Sequence, residues 1–279
     1  MDREFPIKGR YIVAIWLIPF LYLPGIEIIY GFIEESEWYW FYLAYIYYFN
    51  AIFASLLILL FVHHKIDWRQ MMGKPDKKEY PPALKLTAFV FIFSIAAAYA
   101  LYYPLSYLVP EFVIYWYIDI PPVILTNDGI IPGFPNLLNF LALVVLAPVI
   151  EEVAFRGVLM HRWTHKYGMK NAIFFSSILF GMAHPDQIGA IAFGVAMCVL
   201  YLKTQTLIVP IICHAANNLV VWLISAGYLA VKGSEYVYTL DEFRSEWAIG
   251  LVCGVISILW IYLYINSEKD KRIWQLPGI

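Results

Sequence analysis

The stretch Leu137–Met160, "LLNFLALVVLAPVIEEVAFRGVLM", decides how this chain is read. It is apolar over a length that crosses a bilayer, for which about 20 residues suffice. Yet Glu151, Glu152 and Arg156 stand in its second half. A charge at membrane depth costs about 3 kcal/mol even on lenient insertion scales, so ionisable groups there are candidates for function before they are candidates for anything else.

The rest of the chain agrees that water is not its only solvent. Of 279 residues, 62% are hydrophobic and 14% charged, where a soluble domain carries roughly 25% charged residues. Mean hydropathy is +0.67. A net charge of -2, with no basic stripe and no nucleic-acid motif, argues against nucleic acid as a partner and leaves the lipid bilayer as the first one. Cys198, Cys213 and Cys253 lie in apolar runs without paired spacing and read as small buried hydrophobes. The charged N-terminal stretch leads into an apolar run with no small-residue cleavage site after it, which predicts a retained signal anchor.

Apolar runs fall at about 11–33, 38–62, 83–108, 137–161, 171–184, 188–203, 206–227 and 247–266. They predict an all-α polytopic membrane protein with about eight transmembrane helices around a hydrated catalytic cavity. The fifth run is short and ends at "HPDQ", where Pro185 cannot donate to a helical ladder, so 171–203 reads as two short helices joined by a buried turn. A single integral membrane domain over 1–279 is expected: helices without motifs over about 1–136, a motif-bearing core over about 137–227, and a final helix with a cytoplasmic tail over 228–279. With both termini cytoplasmic, sixteen of the nineteen lysines and arginines fall on the inner side, as the positive-inside bias requires. The 109–136 loop, without a basic residue, then lies outside; it is too rich in Pro, Gly, Asn and Asp for a span.

Several polar residues are placed inside spans. Glu152 and Arg156, at i and i+4 with the acid first, have the spacing of an ion pair. Glu151 is turned about 100° away on the helix and cannot share the arginine equally, which frees it for work as a general base. His184 follows Phe180 by one turn, and Asn218 follows His214 by one turn. At 1.5 Å per residue from the inner helix ends, Glu151, His184, His214 and Asn218 lie about 15, 20, 12 and 18 Å deep. Polar groups in hydrocarbon need partners, so convergence into one cavity opening toward the cytoplasm is expected. Glu27, near the outer end of the first span, reads as locally paired, and Asp186 reads as a turn residue after Pro185.

No Ser or Cys stands beside a His at a suggestive spacing, so an acyl-enzyme is not expected. Glu151 as general base, His184 polarising a water, and His214 with Asn218 donating to a developing oxyanion would hydrolyse a peptide bond without a covalent intermediate. One Glu and two His are also a hydrolytic zinc set, although HExxH is missing. Buried Glu, His and Arg could equally serve a proton-coupled transporter, which would show inverted repeats with paired broken helices, or persist in a catalytically silent scaffold.

"EEVAFR" matches EExxxR, Phe180–His184 matches FxxxH, and His214–Asn218 matches HxxxN. In this order they resemble the CPBP family of intramembrane proteases, in its type II CAAX prenyl endopeptidase branch. The resemblance implies catalytic roles for Glu151, His184, His214 and Asn218, with Glu152, Arg156 and Phe180 supporting, no metal or other cofactor, and a prenylated or membrane-embedded peptide as substrate. It implies a multi-pass protein of the plasma membrane in a prokaryote or the endoplasmic reticulum in a eukaryote.

Overall fold

The computed structural model describes residues 6–14, 17 and 38–267. Both chain ends, Glu27 and most of the first expected span lie outside the described residues. Among those described the chain is helical, with one isolated bridge between Asn127 and Ile130. The main elements are α1 (Trp38–His64), α2 (Trp68–Met72), α3 (Tyr80–Leu108), α4 (Pro110–Val113), α5 (Gly133–Tyr167), α6 (Met169–Gly181), α7 (Gln187–Thr204), α8 (Ile208–Lys232), α9 (Leu240–Ser245) and α10 (Trp247–Ser267). Five of the described helices, α1, α3 with the turn before it, α5, α7 and α8, are long and apolar enough to cross a membrane, and Trp247–Leu263 adds a shorter apolar stretch. The protein is therefore a polytopic, all-α membrane protein.

Burial follows the membrane environment. In α1 the buried residues Asn50, Phe53, Leu57 and Phe61 form one stripe, at the spacing of a single helix face. Ile58, Leu59 and Val62 on the other side are more than half exposed, which is favourable only if lipid covers them.

The run predicted over 171–184 is shorter than the five long apolar helices. α6 has 13 residues and stops at Gly181, and α7 packs back along it, so the two form a hairpin. Gly168, at φ +82, adopts the left-handed backbone that lets α5 turn into α6. At the hairpin tip Asp186 caps α7 by accepting from the Gly189 N–H at 3.1 Å, and it also accepts from the Ser94 hydroxyl. Tyr102 donates to the Pro185 carbonyl at 2.6 Å. The tip is thus fastened to the second half of α3.

The two ends of the bundle differ. At one, Lys65, Arg69, Lys74, Arg162, Lys166 and Lys203 cluster around the connections, and the Leu207 N–H bonds the Met71 carbonyl. At the other, Glu246 accepts from Tyr228 at 2.9 Å, from Tyr238 at 2.7 Å and from Tyr99 at 3.5 Å, joining α8, the α8–α9 connection and α3 to the start of α10. The 109–136 loop belongs to this second end and is not a loose excursion. Val113 and Leu125 are fully buried, and Asn136 returns hydrogen bonds to both the N–H and the carbonyl of Leu125.

Candidate active site

The site grows out of α5, whose helical ladder is irregular where the charges sit. Leu141–Leu146 and Val153–Leu159 are π-helical and flank an α segment, Ala147–Glu152. Pro148, with no N–H, weakens the ladder just upstream. The Ala147 N–H bonds the Ala142 carbonyl, which leaves the Leu143 carbonyl free of its usual partner. Asn218, reaching over from α8, donates to that carbonyl through Nδ2 at 2.9 Å.

Glu152 is fully buried. Its Oε1 accepts from Arg156 Nη1 at 2.8 Å and from His214 Nδ1 at 2.9 Å. The expected ion pair is present, and the imidazole is a third member that the sequence did not announce. Arg156 further donates to the Gly194 carbonyl at 3.3 Å. Glycine suits that approach of α7 to α6, because a Cβ at position 194 would lie a tight 3.0 Å from Cα of Ser177. Desolvating such a pair costs about as much as its attraction returns, so its worth lies in geometry more than in net stability.

Glu151 points elsewhere. It is partly exposed, its Oε2 lies 3.9 Å from His214 Nε2, and that oxygen has no hydrogen-bond partner. His214 therefore bridges the two carboxylates, Nδ1 toward Glu152 and Nε2 toward Glu151. His184 bonds through Nδ1 to the Phe180 carbonyl at 2.8 Å. A carbonyl only accepts, so Nδ1 carries a proton, and in the neutral ring Nε2 keeps its lone pair. The ring stacks on Phe180 at a centroid distance of 4.5 Å, while the Arg156 guanidinium lies 4.6 Å from the centroid of the same phenyl ring. Phe180 separates the buried cation from the histidine.

Glu151, His184, His214, Asn218 and Phe180 share the wall of one cavity of about 460 Å³. Glu152 and Arg156 stand behind it. Residues that sequence reasoning did not assign to the site also face the cavity: Ser94 of α3, Asp186, Asn217, Phe193, and Tyr117, Ile120 and Val123 of the 109–136 loop. Ser94 carried no signal, since a lone serine in an apolar run is ordinary. Asp186 turns out to do two things, capping α7 and lining the cavity.

The lining is mostly apolar, includes two carboxylates and, among the described residues, no lysine or arginine. Nor does it include any residue of the basic connections at 65–79, 162–170 or 203–207. The cavity lies nearer the end that carries the 109–136 loop than depth counting from the sequence places it, because α5 runs on to Tyr167 and the hairpin tip reaches the level of Tyr102. No group of three His, Cys, Asp or Glu side chains able to hold a metal ion occurs among the described residues.

Fold and site together define a multi-pass membrane protein that keeps a carboxylate, two imidazoles and an amide around a largely apolar chamber. Residues 133–220, which hold all of these groups, match the family model described as type II CAAX prenyl endopeptidase Rce1-like. Over that stretch, about a third of its length, the chain is similar to the Rce1-like family. No curated protein and no solved structure matches the chain.

Proposed function

We propose that this protein is an intramembrane endopeptidase that cuts near the C-terminus of a membrane-associated, prenylated CAAX-type substrate, using a water activated by Glu151 and forming no covalent intermediate. One observation carries the reading: of two adjacent glutamates, Glu152 stands behind the cavity with Oε1 bound by both Arg156 and His214, while Glu151 lines the cavity with Oε2 unpartnered. A carboxylate so placed can take a proton from water.

In this mechanism His184 accepts a hydrogen from the nucleophilic water at Nε2, and Glu151 removes the other as oxygen attacks the scissile carbonyl. His214, protonated and held by Glu152, donates from Nε2 to the developing oxyanion. Asn218 donates its second amide hydrogen, the first being committed to Leu143. Proton transfer from Glu151 to the leaving amine completes hydrolysis. The apolar walls suit a lipidated peptide, whose chain contributes about 0.8 kcal/mol per buried CH₂.

A zinc-dependent reading has one observation in its favour: both histidines use Nδ1 in outward hydrogen bonds and turn Nε2 inward, as metal-ligating histidines do. Against it, the described residues do not gather three ligands. Cleavage of a quenched farnesylated CAAX peptide by purified protein separates the readings. Activity lost in Glu151→Ala and unaffected by 1,10-phenanthroline supports water activation by glutamate; chelator-sensitive activity supports zinc. Full activity of Glu151→Ala would refute both.

A further inference from the structure

A second concavity lies at the opposite, basic end of the molecule and has no part in the chemistry above. It holds about 580 Å³ between residues 8–14 with Leu17 and the last turns of α5. Lys8 and Arg10 border it from one side, Arg162 and Lys166 from the other, and among the described residues none of those lining it is acidic. Val13 and Leu17 make its floor apolar. Trp163 and Tyr167 stand at its rim and are shared with a neighbouring groove of about 530 Å³, which continues along α6 past Phe175 and Leu179. That groove is lined by aliphatic and aromatic side chains and carries no charge.

Single lysines and arginines near helix ends commonly reach for water by themselves. Here Lys8, Arg10 and Lys166, from two distant parts of the chain, border one concavity with Arg162 beside them, a lining whose charge suits an anion. A soluble anion would satisfy the charge and leave the floor and the adjoining groove bare. Tyr167 holds the Lys166 ammonium 4.8 Å from its ring centroid, and Trp and Tyr are the residues that settle at headgroup level. We propose that this concavity binds one anionic phospholipid, its phosphate among Lys8, Arg10, Arg162 and Lys166 and an acyl chain along the Phe175–Leu179 groove. The lipid fastens the N-terminal segment to the helix that carries Glu151.

The test is native mass spectrometry of the detergent-purified full chain titrated with phosphatidylglycerol, phosphatidylcholine or soluble glycerol phosphate. Lys8→Gln with Lys166→Gln removes two exposed charges from the groove; Lys74→Gln with Lys77→Gln removes two from the same end outside it. The expected result is retention of one phosphatidylglycerol, weakened by about tenfold or more in the groove variant and within about twofold of wild type in the control. Equal retention of phosphatidylcholine, equal loss in the control variant, or displacement by glycerol phosphate at comparable concentration would each overturn the proposal. The wild-type lipid comparison stands even where a variant fails to fold.

Discussion

Nδ1 of His214 lies 2.9 Å from Oε1 of Glu152, the oxygen that also takes the Arg156 guanidinium. A histidine of α8 is thereby oriented by a carboxylate of α5, and the two adjacent glutamates acquire different work.

The first prediction concerns that difference. Glu152→Ala leaves the buried Arg156 charge unpaired, which costs about 3–5 kcal/mol and should appear as a large fall in unfolding temperature in detergent. Glu151→Ala should unfold within a few degrees of wild type while cleavage drops by about 10²–10⁴-fold. Similar unfolding temperatures for the two variants would show that the pair is not divided in this way.

Phe180 holds the centre of the site, with His184 on its ring, Arg156 at 4.6 Å and Phe155 packed edge-on at 5.3 Å. Phe180→Ala should cost about 3–5 kcal/mol through the cavity it leaves. It also removes the plate against which His184 is stacked. Phe180→Leu should recover most of the stability, and if stacking positions His184, little of the activity; full recovery of activity in the leucine variant would argue for simple filling.

Asn218 serves a structural bond that its proposed catalytic one must share. Asn218→Leu leaves the Leu143 carbonyl unsatisfied, a loss of about 1–3 kcal/mol. Loss of an oxyanion donor lowers kcat by about 10²–10³-fold. A stability loss with kcat unchanged would confine Asn218 to the helix contact.

Orientation bears directly on substrate. The distribution of lysine and arginine predicts that Lys77→Cys reacts with an impermeant maleimide only in opened cells, whereas Glu111→Cys reacts in intact ones. The cavity wall at Tyr117, Ile120 and Val123 would then lie toward the outer face, and a cytoplasmic prenylated tail would have to enter between helices. Labelling of Lys77→Cys in intact cells would reverse the arrangement and open the cavity to the cytoplasm.

What sequence could show was what depends on neighbours along the chain. The Glu152–Arg156 pair follows from helical spacing alone, and the break before α7 from Pro185. The 109–136 loop could be recognised as not a span, because composition says so. Its role as a cavity wall could not, since burial of Leu125 depends on Asn136 and the packing of α5. The Ser94–Asp186 bond joins residues on separate elements with nothing in either neighbourhood to announce it. The π segments escaped as well, for apolar residues fill their positions as readily as those of an α-helix.

Those π segments carry a consequence for how the chain tolerates change. Each winds more residues into a turn than the α-helix does, with the bond from i to i+5, so each is the geometric equivalent of a one-residue insertion. Deleting one residue of Leu141–Leu146 lets that stretch relax to α geometry while the helix downstream keeps nearly its present rotation against the helix upstream. Glu151 would then still face the cavity although the chain had lost a residue. The π turns of α5 are thus places where the helix can shed one residue without turning the site, whereas a deletion in a purely α helix swings everything beyond it by about 100°.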